Sequence, residues 1–344
     1  MPEKLKAVLV GCGGISAAWL DSVKDDESLE IAGLVDINED AAKQRREQYG
    51  LAAAVIDSDL EKVLSNVKPD VVFNCTVPEA HAEVTIASLK RGCHVLCEKP
   101  LAENMEDARR MVAAAREQTR IFAVVQNRRY DPKIRAYTDL IASGKLGKLT
   151  TLNTDFYIGA HFGGFRDKMK HVLLIDMAIH TFDAARLVSG CDPVAVYCKE
   201  WNPSGSWYDH DASAVAVFEM TGGVVYTYRG SWCSEGLNTT WESDWRALCE
   251  TGSATWDGAG SFKAQAVSKT GAFFSEMADI EVKIPENEKR GGHGGVIREF
   301  LQCVRTGGVP ETAGSDNIKS LAMVLGAVES AETGKRVAIR GVEA

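Results

Sequence analysis

The sequence predicts two consecutive domains, a doubly wound parallel α/β domain and then an α+β domain built on an antiparallel or mixed sheet. Three observations carry this. From Leu5 to about Gln126, short β-branched runs alternate strictly with stretches of helical period. Beyond that point strands follow one another directly, through turn signals such as Thr221-Gly222-Gly223. A glycine-rich turn, Gly11-Cys12-Gly13-Gly14-Ile15-Ser16, stands directly between the first strand and a helix. The 344 residues suffice for two domains, and the change of rhythm divides them as 1–126 and 127–344.

Taken in order, the strands of the first domain are read at Lys6 to Val10, Glu30 to Val35, Ala53 to Ile56, Val71 to Cys75, His94 to Cys97 and Ile121 to Val125. Between them Glu39 to Tyr49, Glu79 to Arg91 and Met105 to Gln118 repeat apolar residues every three or four positions, the stripe an amphipathic helix needs. In the second domain a helix over Pro132 to Ala142 precedes strands at Leu149 to Ile158, Val194 to Lys199, Ser213 to Met220, Val224 to Trp232 and Trp245 to Glu250. A helix over Val172 to Val188, apolar nearly all round, interrupts them. Helices over Val296 to Arg305 and Ile318 to Glu332 close the chain.

The glycine turn gains meaning from its place. Glycines allow a tight turn and close approach of backbone to a pyrophosphate, whose charge rests on free amide donors at a helix N-terminus. Asp36, ending the second strand, stands where a carboxylate accepts hydrogen bonds from ribose hydroxyls. That carboxylate repels a 2′-phosphate, and neither Ile37 nor Asn38 supplies a cation for one, so the expected cofactor is NAD. Arg45 and Arg46 read as a solvated helix face rather than a phosphate clamp. Ser16 takes the place of a smaller residue at the sixth position, with slightly looser helix–strand packing as the expectation.

Composition excludes several classes. A net charge of −9 lacks the basic excess that a nucleic-acid surface requires. No run approaches the roughly 18 apolar residues of a membrane helix. Nine cysteines without a C-x-x-C pair read as reduced thiols, and no export signal precedes the first strand, so the cytoplasm is the expected compartment. Cys93-His94-Val95-Leu96-Cys97 and Asp209-His210-Asp211 contain metal-capable residues without a second ligand cluster, so no metal is expected.

Further patterns bring a resemblance. Thr76-Val77-Pro78 followed by His81, then Gly92-Cys93-His94-Val95-Leu96-Cys97-Glu98-Lys99-Pro100, and later Asp176-Met177-Ala178-Ile179-His180, together resemble the Gfo/Idh/MocA oxidoreductase family over nearly the whole chain. The resemblance implies an N-terminal Rossmann domain joined to a C-terminal domain with a large, mostly antiparallel sheet that often forms an oligomer interface. It also implies oxidation or reduction of a secondary alcohol of a sugar, inositol or related polyol, in a homodimer or homotetramer. The expected cofactor contacts are Gly11, Gly13, Gly14, Ile15, Asp36, Ile37, Thr76, Pro78, His81, Glu98, Lys99 and Asn127.

The expected catalytic set is Lys99, Asp176 and His180. Lys99 follows a strand, and ligands of open parallel sheets bind outside the carboxyl ends of the strands. Asp176 and His180, four apart on a helix, share one face. Alcohol oxidation needs a base titrating near neutrality, a role that fits His180, while a lysine cation stabilises the developing oxygen charge. Asp176 is assigned to substrate hydroxyls and Arg166, in the loop before this helix, to hydroxyls or a carboxylate. Asp183 either holds the His180 imidazole or is a surface acid. Most of the six tryptophans beyond residue 200 read as sheet packing, with one or two free to stack on a sugar ring. Two other classes remain open: an NAD-using glycosidase with transient oxidation, and a non-catalytic dinucleotide-sensing regulator.

Overall fold

The computed structural model describes residues 4–284 and 291–340, which form two compact units. The first contains residues 4–127 and 291–318. Its six strands are β1 (Leu5–Val10), β2 (Leu29–Val35), β3 (Val55–Asp57), β4 (Val71–Asn74), β5 (His94–Cys97) and β6 (Phe122–Val124). They pair in parallel in the order β3-β2-β1-β4-β5-β6. Five helices connect them: α1 (Ser16–Val23), α2 (Glu39–Gln48), α3 (Leu60–Val67), α4 (Pro78–Lys90) and α5 (Met105–Glu117). The order of connection reverses between β1 and β4, so their carboxyl ends open the crevice in which this architecture binds ligands. The third strand starts two residues later than its β-branched run suggests, because the Ala54 amide donates to Leu51 O in a turn.

The second unit contains residues 128–284 and 319–340. Helix α6 (Pro132–Ala142) leads into β7 (Leu149–Tyr157). A π-helical segment, Leu173–Ala178, runs into α7 (Ile179–Ser189). Then come β8 (Pro193–Trp201), β9 (Ser213–Met220), β10 (Val225–Ser231), β11 (Asp244–Cys249), β12 (Gly252–Trp256), β13 (Phe262–Lys269) and β14 (Glu276–Asp279). With β15 (Val337–Ala338) they form a nine-stranded sheet in the order β14-β13-β12-β11-β7-β10-β9-β8-β15. Only β7 and β10 pair in parallel. Side chains alternate across this sheet: Leu152, Phe156, Ala216, Phe218, Tyr226 and Tyr228 are buried, and Phe182 of α7 packs edge-on against Phe218 at 4.8 Å.

Two expectations need correction here. The apolar run from Val172 is not one regular helix, since its first six helical residues form i→i+5 bonds; such insertions concentrate at functional sites. Strands β12 to β14 escape a pattern-based reading because β13 is largely exposed and all of β14 is exposed.

The last helices are α8 (Gly292–Thr306) and α9 (Gly314–Thr333). Helix α8, assigned by rhythm to the C-terminal domain, folds with the first unit. The reason lies at the sheet edge. The Val124 amide donates to Thr312 O at 3.0 Å and Ala123 bridges Ala313, so the segment after α8 covers the open side of β6.

Candidate functional site

In the first unit the glycine turn divides its labour. Gly11 has φ +91°, and a Cβ there would lie 2.6 Å from the Cys75 carbonyl, so this glycine exists for backbone contact with the end of β4. A Cβ on Gly13 or Gly14 would meet nothing within 4 Å, and neither amide donates a hydrogen bond among the described residues. Helices α2, α3 and α5 are each capped by an Asn or Asp side chain, whereas α1 and α4, which follow β1 and β4 at the crevice, have none. Uncapped amide ends and bare glycines fit a pyrophosphate. Pro78 occupies the first turn of α4, where the absent N–H costs nothing.

Asp36 accepts the Cys12 amide at 2.7 Å on one oxygen and the Asn38 amide at 2.8 Å on the other. Each oxygen keeps a lone pair for a ribose hydroxyl. Burial and the Asp36 charge push the Cys12 thiol up to about 12, so it stays protonated. Ile15 is exposed and Ile37 is 97% exposed, leaving apolar surface in both segments.

The solvated-face reading of Arg45 is corrected. Its Nε donates to Ser16 Oγ at 2.9 Å and a terminal nitrogen to Gly13 O at 3.0 Å, while Ser16 Oγ donates to Gly13 O at 2.6 Å. Ser16 is thus fully buried and polar-bonded rather than merely small, and Arg45 braces the turn.

Three of the expected cofactor contacts stand in or behind the crevice wall. Thr76 donates its hydroxyl to Asn74 Oδ1 at 2.6 Å, and buried Asn74 in turn donates to His81 O and Thr85 Oγ1. His81 is fully buried, its Nδ1 2.8 Å from Pro100 O and its Nε2 3.1 Å from Thr76 O. Burial pushes its pKa down, so the neutral ring donates through one nitrogen only. His81, expected near the cofactor, ties the Thr76 turn to the Lys99-Pro100 turn from within the wall. Glu98 is likewise buried. It accepts Trp19 Nε1 at 2.6 Å and the Lys99 amide at 3.0 Å, and lies 3.4 Å from His293 Nε2. Burial opposes its charge, but His293 and Trp19 outweigh that and hold it below the usual carboxylate range. Asn127 Nδ2 lies 3.4 Å from His293 Nδ1. Lys99, half-buried, follows directly at the carboxyl end of β5.

In the second unit Asp176 and His180, both partly exposed, project from a helix whose other neighbours Leu173, Leu174, Met177, Ala178 and Ile179 are buried. Arg166 Nε donates to Asp176 Oδ2 at 2.6 Å, and its guanidinium lies 5.0 Å from the Phe162 ring and 4.8 Å from the Phe165 ring. Its two terminal nitrogens have no partner among the described residues. Phe162 also packs near Trp232 and exposed Trp241, at 5.2 and 6.3 Å. Trp245 and Trp256 are buried packing. Asp183 is neither a surface acid nor available for an imidazole. It is 1% exposed, receives Arg129 through both oxygens at 2.6 and 2.8 Å, and accepts Ser320 Oγ at 2.6 Å. At the start of the segment, His171 Nδ1 lies 2.6 Å from buried Glu200 and Nε2 3.3 Å from Glu332. Among the described residues no three His, Cys, Asp or Glu side chains cluster as a metal site, and no helix is long and apolar enough to cross a membrane.

Sequence reasoning missed His293, Trp19 and Arg129. A histidine framed by glycines at the start of an amphipathic helix is the one local signal for His293; its partner Glu98 is fixed only by tertiary folding.

Comparison with known proteins agrees with this architecture. Residues 5–126 match the oxidoreductase family with an NAD-binding Rossmann fold, and residues 134–255 match the GFO/IDH/MocA C-terminal domain. An inositol 2-dehydrogenase of Streptomyces avermitilis is 26% identical, with 98% of this chain and 95% of that protein covered. A 1,5-anhydro-D-fructose reductase of Ensifer adhaerens is 24% identical, with 96% and 97% covered. Among solved structures, an oxidoreductase from Agrobacterium radiobacter in complex with NAD+, L-tartaric acid and magnesium superposes with a TM-score of 0.83 at 20% identity, covering 98% of each chain.

Proposed function

Since this chain belongs to the Gfo/Idh/MocA oxidoreductase family, with its NAD-binding Rossmann fold, we propose that it is an NAD-dependent dehydrogenase acting on a secondary alcohol of a sugar, inositol or related polyol. The observation that carries the substrate class is the Arg166–Asp176 pair among the aromatic rings of Phe162 and Phe165, one helical turn from His180. Carboxylate and guanidinium bind hydroxyls in fixed directions, and aromatic rings take the apolar face of a sugar ring. The names of the inositol and anhydrosugar relatives support the same class.

The glycine turn, the bare ends of α1 and α4, and Asp36 hold the dinucleotide. Bound NAD supplies the acceptor for the hydride. His180 takes the hydroxyl proton of the substrate, Asp176 orients the neighbouring hydroxyls, and the Lys99 ammonium stabilises the oxygen as it becomes a carbonyl. Glu98, whose carboxylate is held by Trp19 and His293, fixes the Lys99 backbone from behind. We further propose a cytoplasmic homodimer or homotetramer.

Incubation with NAD and a panel of inositols, free sugars and aryl glycosides tests this reading. Reduced nicotinamide without released aglycone supports it. Cleavage without net reduction makes the protein a glycosidase, and tight NAD binding with neither reaction makes it a dinucleotide sensor.

A further inference from the structure

A second cavity, of about 650 Å³, lies in the first unit at the amino ends of β5 and β6, whereas the crevice opens at the carboxyl ends. Its volume is within the roughly 300–1,000 Å³ of small-molecule sites. The walls are Val112 of α5, Phe122 of β6, Val304 of α8, and Val309 and Pro310 of the turn that follows; Val309 is 80% exposed.

The charged groups are all of one sign, beside the hydroxyls of Thr119 and Ser315. Among the described residues no acidic side chain lines the cavity, although the chain carries a net charge of −9. Arg116 makes no side-chain hydrogen bond or ion pair among the described residues. Arg120 spends Nε on Gly92 O and one terminal nitrogen on Thr119 O, which leaves its other terminal nitrogen without a partner among the described residues. His94 Nδ1 accepts the Ile121 amide at 2.9 Å, so the neutral ring carries its proton on Nε2, as one more donor. Two guanidinium groups and an imidazole N–H outweigh the partial negative charge at the carboxyl end of α5.

We propose that this cavity is a binding site for a small organic anion, a carboxylate on an apolar body, separate from the dinucleotide crevice. Its head group pairs with Arg116 and Arg120, and its body fills the space between Val112, Val304 and Val309. Neither the fold nor the proposed reaction requires unpaired guanidinium groups at this end of the sheet, and a carboxylate is the partner their planar donors suit.

The test uses the full chain saturated with NAD, so that the crevice is filled, and measures binding of 2-naphthoate and of its neutral isostere 2-naphthylmethanol by calorimetry. The expected result is at least tenfold tighter binding of the acid. Arg116→Glu should abolish that preference, and Val309→Trp, at an exposed turn, should weaken both probes, each without altering NAD affinity. Photolabelling with benzophenone-4-carboxylate should mark peptides spanning 112–122 or 304–310. Equal affinity for acid and alcohol, insensitivity to both substitutions, labelling elsewhere, or no binding of either probe would overturn the proposal.

Discussion

In the proposed reading the two units recognise their ligands by different means. The first presents main-chain groups: unbonded amides at Gly13 and Gly14, uncapped ends of α1 and α4, and one carboxylate, Asp36. The side chains around them, Arg45, Asn74, His81 and Glu98, are turned inward as braces. The second presents side chains, Arg166, Asp176 and His180, carried on a loop and on an irregular helix. A shared cofactor can be held by backbone, which every sequence possesses. Discrimination of one polyol from another, in this reading, falls to the directed functional groups of Arg166, Asp176 and His180.

If that contrast is sound, His180→Ala should lower turnover by about a hundred- to ten-thousandfold while the NAD dissociation constant stays near normal; unchanged turnover would transfer the role of base elsewhere. Next in size is Arg129→Ala, which leaves the Asp183 carboxylate buried with its main partner gone. We expect a stability loss of about 3–5 kcal/mol by urea denaturation, with Asp183→Asn costing less; a loss near zero would mean that Ser320 and Arg186, the latter 4.0 Å from the same carboxylate, suffice.

Smaller effects sharpen the cofactor side. Arg45→Ala removes two hydrogen bonds from the glycine turn and should weaken NAD binding several-fold, on the order of 1 kcal/mol, with kcat at saturating NAD retained. If Arg45 merely lay on a solvated face, affinity would not move. Last comes a pH effect. The hydrogen bond to Glu200, ahead of opposing burial, raises the His171 pKa above 6.5. Its contribution is therefore complete below that ordinary value and fades as pH rises through the raised one. Thermal melts taken upward from pH 6 should fall more steeply for the wild type than for His171→Gln; parallel curves would remove His171 as the cause.

Legibility followed the same division. Strand–helix alternation gives the parallel sheet because each element buries a stripe whose period is local. The glycine turn and Asp36 are readable for the same reason, since their spacing along the chain is their spacing on the sheet. The apolar helical run that carries Asp176 and His180 is readable too, although its π-helical start is not, because an i→i+5 turn has no composition of its own. The pairs Glu98–His293 and Arg129–Asp183 join distant segments, and no periodicity announces them. Arg45 was misread because a charged residue near a helix end looks the same whether it meets water or a carbonyl.

Helix α8 carries a consequence for the order in which the protein is made. The carboxylate beside Lys99 waits for an imidazole encoded nearly two hundred residues later, and the exposed side of β6 waits for Thr312 and Ala313. A ribosome that has released only the first 126 residues has made every strand of the cofactor sheet but not its closing piece. The nucleotide-binding unit is thus finished only after residues 128–284 have been made, which ties its completion to synthesis of α8 and the segment that follows it.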